Sequence, residues 1–198
     1  MVFLCGAIYM PTLKRLSLAA FSAVLSSAVL SSAALPSLAA TFNIDATQPH
    51  RHWQSMALTL GDERHFRAVE THSYSDATLS VNATKGVCDL PWLEMRVTLA
   101  EQQGESRAVN LVPTRIRVDD RPIIDTMAEF ITERGDDGFY THFYLNDLQA
   151  LIDQMSQGEQ LFIGFDQQDS DPWYMTFSLD GADNALHRMQ RLCNRDDG

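Results

Sequence analysis

The sequence predicts a mainly β, α+β domain: an antiparallel β-sandwich-like body with two short helices near the C-terminus. Three observations predict it. Short runs of alternating, β-branched and aromatic residues recur between Trp53 and Leu179, Gly- and Asp-containing turns separate them, and two segments after Asn146 change to helical spacing.

The first forty residues stand apart from that pattern. They contain no acidic side chain, carry Lys14 and Arg15, and are apolar and small from residue 16 to 34. A positive start stays on the cytoplasmic side, the apolar stretch enters the translocation machinery, and small residues precede a cut, which together describe a secretory signal peptide. Ser37-Leu38-Ala39 supplies the small-x-small pattern, with Ala39 or Ala40 as the last residue removed. Met10-Pro11-Thr12-Leu13-Lys14-Arg15 already makes a compact charged start, so translation is expected to begin at Met10. Residues 16–34 are about long enough to span a bilayer, but their Ser and Ala content favours cleavage over a permanent anchor. Cys5 precedes the charged region, which leaves the position of lipid attachment empty. The expected division is residues 1–40 as signal peptide and 41–198 as a single β-rich domain, periplasmic or secreted, with no stable membrane insertion after cleavage.

That domain is large enough for a real core and short for two. Without Lys14 and Arg15, 13 basic side chains face 26 acidic ones, a net charge near −13. Phosphate neutralisation needs Lys and Arg clustered on a face, so the balance disfavours nucleic acid and anionic lipid and suits a basic protein partner, a cation or a salty habitat. Cys5 leaves with the leader, and Cys88 and Cys193 remain. Two lone cysteines in an oxidising compartment are expected to pair. Closing a loop of that length stabilises by on the order of 4 kcal/mol in the chain-entropy account. A metal pair or reactive thiol has no CxxC spacing to support it.

In chain order, residues 41–51 form a polar extended lead-in. Trp53–Leu60 is the first strand, turned at Gly61-Asp62-Glu63 into a return over residues 65–71. Residues 77–83 alternate, Lys85-Gly86 turns towards Cys88, and residues 92–99 set Leu93, Met95, Val97 and Leu99 against Trp92, Glu94, Arg96 and Thr98. Residues 108–118 are extended, with Leu111, Ile116 and Val118 inward and Pro113 at a bulge or edge. Asp119-Asp120-Arg121-Pro122 turns the chain. Met127, Phe130 and Ile131 fit a helix face, yet the Gly135-Asp136-Asp137-Gly138 turn and the β-rich residues 139–145 favour a hairpin. Asn146 caps a helix carried by Leu148, Leu151, Ile152 and Met155 until Gly158. Strands at Gln160–Phe165 and residues 173–179 follow. Asp180-Gly181 opens a last helix with Ala182, Ala185, Leu186 and Met189 on one side, bringing Cys193 to the core edge, and residues 194–198 fray.

Phe177-Ser178-Leu179-Asp180-Gly181-Ala182, followed by Ala185-Leu186 and Cys193, resembles the strand, Leu-x-Gly turn, helix and terminal cysteine of small Gram-negative periplasmic proteins. Those include invasion-associated locus B-like proteins and a periplasmic accessory family of type VI secretion. About 80 residues are covered. The resemblance implies a secreted β-sandwich-like accessory domain and no shared activity.

Chemistry-bearing residues are sparse in pattern. His50 and His52 make an HxH pair with His65 and His72 on the neighbouring hairpin, but HxH recurs by chance and no carboxylate-rich metal signature accompanies it, so no metal site is assigned. His142 and His187 read as surface or interface residues. Asp166, Asp169 and Asp171, and Asp136-Asp137, could face Ca²⁺, yet neither stretch matches an EF-hand and both read as solvated turns. GxSxG, SxxK and phosphate-loop patterns are missing from the mature chain, so no catalytic residue and no cofactor is assigned. Trp53, Trp92 and Trp173 read as core anchors. The functional expectation is an exported accessory or binding protein that recognises a protein partner in the cell envelope and is not an enzyme. The alternatives are a small envelope hydrolase using acidic residues between Asp119 and Asp137, and an inhibitor of a basic envelope-degrading enzyme such as a lysozyme.

Overall fold

The structure, a computed structural model, describes residues 42–73, 76–166 and 172–196. The expected signal peptide lies outside them, as do Asp169 and Asp171. Among the described residues ten strands are formed: β1 (Asn43–His50), β2 (Trp53–Leu60), β3 (Glu63–Glu70), β4 (Ala77–Thr84), β5 (Trp92–Thr98), β6 (Arg107–Val118), β7 (Ile124–Thr132), β8 (Gly138–Phe143), β9 (Gln160–Phe165) and β10 (Trp173–Ser178). Helix α1 (Leu148–Met155) joins β8 to β9, and α2 (Ala182–Asp196) follows β10. The strands make one antiparallel sheet in the order β1-β2-β3-β4-β5-β8-β7-β6-β9-β10. Among the described residues no helix is long and apolar enough to cross a membrane.

The sandwich-like character comes from curvature of this one sheet. Phe143 on β8 stacks 6.2 Å from Phe165 on β9, and Phe139 on β8 lies 6.1 Å from Trp173 on β10, although β7 and β6 intervene in the ladder. The inner face therefore meets itself. Period-two alternation supplies it with Phe66, Leu79, Val81, Leu93, Met95, Ile116, Val118, Leu161 and Ile163, all buried. Leu151 and Met155 of α1 enter the same core, while α2 lays Ala182, Ala185, Leu186 and Met189 across β2, β3 and β4.

Two devices hold α2. Cys88, just after β4, is bonded to Cys193 in its last turns, with the Cα atoms 5.8 Å apart and both residues buried. At the other end the β1–β2 turn docks on the β10–α2 turn: the His52 N–H donates to Asp180 O at 3.1 Å and Trp53 Nε1 donates to Ser178 O at 2.7 Å. Gly181 sits at φ +95°, and a Cβ there would overlap the His50 carbonyl. Glycine is required both by the left-handed backbone and by this close approach.

Several local expectations are corrected. Residues 43–50 are a paired edge strand rather than a lead-in, kinked where the register shifts between Asp45 and Gln48 and Ala46 takes φ 51°. Leu111 is 57% exposed. It has the opposite parity to the inward Ile116 and Val118, and it follows the true bulge of β6, between Val109 and Leu111. Pro113 instead stands where the β6–β9 ladder ends, so its missing N–H costs no bond there. The cap of α1 is Asp147, whose Oδ1 accepts from the Ala150 N–H at 2.9 Å, one residue later than Asn146. Residues 194–196 continue α2, which runs 15 residues. The hairpin reading of residues 123–133 is correct: β7 pairs with both β6 and β8.

Candidate functional site

The antiparallel register decides which outward side chains meet. Opposed residues form four rows across the outer face: Ile44, Leu58, His65 and Thr84; Met56, Arg67, Asn82 and Trp92; Ser80, Glu94, His142 and Glu129; and Thr78, Arg96, Tyr140 and Ile131. The β1–β2 edge is apolar, with Met56, Leu58, Val69 and Phe42 in a small cluster apart from the main core. The β5–β8 side is charged. Between them Phe42 meets the edge of His65 at 5.4 Å, and His65 meets Trp92 at 6.2 Å, each in a T-shaped contact. His65 is fixed by a 2.8 Å bond between Nδ1 and Thr84 Oγ1.

The charges of the β5–β8 side are paired among themselves. Arg67 Nε donates to Asn82 Oδ1 at 2.5 Å, and its Nη2 reaches Glu94 Oε1 at 3.4 Å. His142 Nε2 lies 3.6 Å from the other Glu94 oxygen. Burial alone would raise the Glu94 carboxyl, but the His142 bond and the Arg67 charge outweigh it and hold the group below its ordinary value. The same bond raises His142. Arg96 Nη2 donates to Asp136 Oδ1 at 2.6 Å and also to Asp137, and its guanidinium covers the Tyr140 ring at 5.6 Å. Tyr140 Oη donates to Asp136 Oδ2 at 2.6 Å, which lowers Asp136, while burial and that carboxylate raise Tyr140.

Together these side chains line an open groove of about 800 Å³, with Phe42, Ile44, Leu58 and Trp92 on one side and Arg67, Glu94, Arg96, Asp136 and Tyr140 on the other. Such a groove can seat an apolar side chain beside a polar one. Its charges are held in place before any partner arrives.

The sequence did not single out Glu94 or Arg96. The signal was present: Trp92, Glu94 and Arg96 recur at every second residue on the polar side of one strand, and an Asp-Asp turn supplies the partner of Arg96. Asp136 and Asp137 are thus ion-paired turn residues, not merely solvated ones. Trp92 faces the groove, whereas Trp53 is fully buried and Trp173 packs on the core.

The remaining candidates are dispersed. His50 ends β1 and His52 lies in the turn after it, so the HxH pair diverges. His50 Nε2 meets Ser55 Oγ at 2.8 Å; His52 Nδ1 meets Ser178 Oγ at 2.7 Å and its ring stacks on His72 at 4.1 Å. Beneath them Glu70 is 1% exposed, and burial pushes its carboxyl up. His187 bonds Asp183 one turn back on α2. Asp166 pairs with Arg115 at 3.2 Å. Asp119 accepts from the Glu159 and Gln160 N–H groups, at the far end of β7 from Asp136. Among the described residues no three of His, Cys, Asp and Glu gather as a metal-ligand group.

No protein-family model matches the chain, and no curated protein does. Among solved structures, the fold is similar to the crystal structure of invasion associated protein B from Bartonella henselae, with a TM-score of 0.52 and 14% identity over 76% of this chain and 99% of that one. At that identity the likeness is one of fold alone.

Proposed function

We propose that the protein is an exported accessory protein of the cell envelope that binds a protein partner in the groove of the outer sheet face. One observation carries the reading: an apolar edge and a wall of already paired charges share one groove of about 800 Å³, joined by the Phe42, His65 and Trp92 contacts. Aromatic anchors beside ordered polar groups are the composition of interface centres. The leader-like residues 1–40, the Cys88–Cys193 bond and the fold shared with a protein named for invasion support the compartment. The excess of acidic residues would steer a basic partner over distance, with the groove making the contact.

A photo-reactive residue placed at Ile44, and separately at Tyr174 on the opposite edge of the sheet, tests this in envelope extract. A discrete protein crosslinked from position 44, absent from position 174 and lost with Trp92→Ala, is the expected result. Equal labelling from both positions, or none from position 44, overturns the reading. The hydrolase alternative loses ground because Asp119 and Asp136 are at opposite ends of β7, each committed to its own structural bonds.

A further inference from the structure

We infer that a second pocket, between the end of β1 and the outer side of α2, binds a phosphate-type oxyanion. It is lined by Gln48, His50, Asn184, Arg188, Arg191 and Arg195, with Leu192 at its base, and encloses about 310 Å³. Positions 188, 191 and 195 fall on one face of a helix, which brings three guanidiniums together.

Five other arginines, unlike these three, are committed to carboxylates. Arg51, Arg67, Arg96, Arg107 and Arg115 each form an ion pair with a carboxylate. Arg188, Arg191 and Arg195 form none with any described carboxylate, in a chain with 26 acidic residues to draw on. Arg195 in the last turn complements the helix dipole. Arg188 is further back, and its Nη1 turns to the sheet, donating to Ser55 Oγ at 3.0 Å and to Ser55 O at 3.3 Å.

Ser55 is fully buried and also meets His50 Nε2. Its Oγ accepts from Arg188 and lies within hydrogen-bond reach of the imidazole, so both groups are tied to the same buried hydroxyl. Burial and the Arg188 and Arg191 charges hold the imidazole below its ordinary value, which favours its neutral form. Burial and the charges of Arg191 and Arg195 likewise lower Arg188. One buried hydroxyl therefore positions two pocket groups, with the like charges of Arg191 and Arg195 beside them.

The donor set fits phosphate better than carboxylate. Guanidiniums from α2, amides of Gln48 and Asn184, and His50 approach from more than one side. A planar carboxylate offers two oxygens, whereas a phosphate carries three acceptor oxygens and about two charges. A pocket lined by one sign of charge also concentrates such an anion locally.

Titration of the full chain with inorganic phosphate at low ionic strength, followed by calorimetry and by the His50 ring and Arg188 Nε signals, tests the site. Saturable one-to-one binding that moves both signals is expected, weakened about tenfold or more by Arg191→Gln and unchanged by Arg115→Gln. Vesicles of phosphatidic acid, against phosphatidylcholine, separate the sources. Capture lost with Arg191→Gln identifies a membrane-borne phosphate, and phosphate binding without capture identifies a soluble one. Non-saturable binding, equal affinity in Arg191→Gln, or tighter binding of malonate than of phosphate overturns the inference.

Discussion

The outer groove and the α2 pocket treat charge in opposite ways. In the groove Arg67, Glu94, Arg96 and Asp136 neutralise one another through hydrogen bonds, and the half-buried network shapes a surface whose binding energy must come from apolar contact. In the pocket Arg188, Arg191 and Arg195 repel one another on one face of α2. A chain-wide net charge of −11 hides that difference completely. Net charge describes long-range steering, while the identity of a bound group is decided by charges left unpaired at one place.

The largest test separates the two regions mechanically. Replacing both Cys88 and Cys193 by Ser removes the staple on α2, and urea denaturation should show a loss of about 4 kcal/mol. Hydrogen exchange should rise in α2 well before β5 and β8, since α2 packs on β2, β3 and β4 while the paired charges of the groove sit on β5 and β8. Uniform acceleration across both would mean that the two regions open as one unit. Next in size, Arg96→Leu strands Asp136 and Asp137 and should cost about 2 kcal/mol by the same denaturation.

A smaller effect is a pH limb. Glu94 is held below its ordinary value of 4.5, so its contribution is present above that pH and lost as pH falls through the lowered value. His142 is raised above 6.5, so its contribution is complete below 6.5 and lost as pH rises through the raised value. The pair is therefore at full strength between 4.5 and 6.5, and His142→Gln should flatten the fall in stability that sets in as pH rises above 6.5. Smallest is Arg191→Gln, which relieves a like-charge i,i+4 pair with Arg195 and should stabilise by about 0.3 kcal/mol at low salt, fading as salt rises. Loss of stability at Arg96 with gain at Arg191 is the sign reversal that the comparison demands.

Much of the architecture was legible because period-two alternation and turn chemistry are local. β2, β5, β9 and β10 fall where the sequence places them, and the Cys88–Cys193 bond joins the two cysteines the mature chain retains. β1 was not legible, since its residues are exposed on both faces and it gains its structure only by pairing with β2. Neither was the groove. Glu94 meets His142 across 48 residues and Arg96 meets Asp136 across 40, and both encounters depend on β8 inserting beside β5, an order that no local pattern encodes. The pocket of α2 could have been suspected from the spacing of Arg188, Arg191 and Arg195, but its link to His50 runs through Ser55, more than 130 residues earlier.

The kink of β1 has a bearing on how copies of this protein behave in a crowd. An edge strand offers free N–H and C=O groups to any neighbour that can lie flat beside it, the first step towards filaments. Between Asp45 and Gln48 the row is broken, and Pro49 has no N–H to offer, so a second chain would find no continuous rail to zip onto. Strand addition through this edge should therefore be absent from concentrated solutions, and anything that adheres here must be recognised by its side chains.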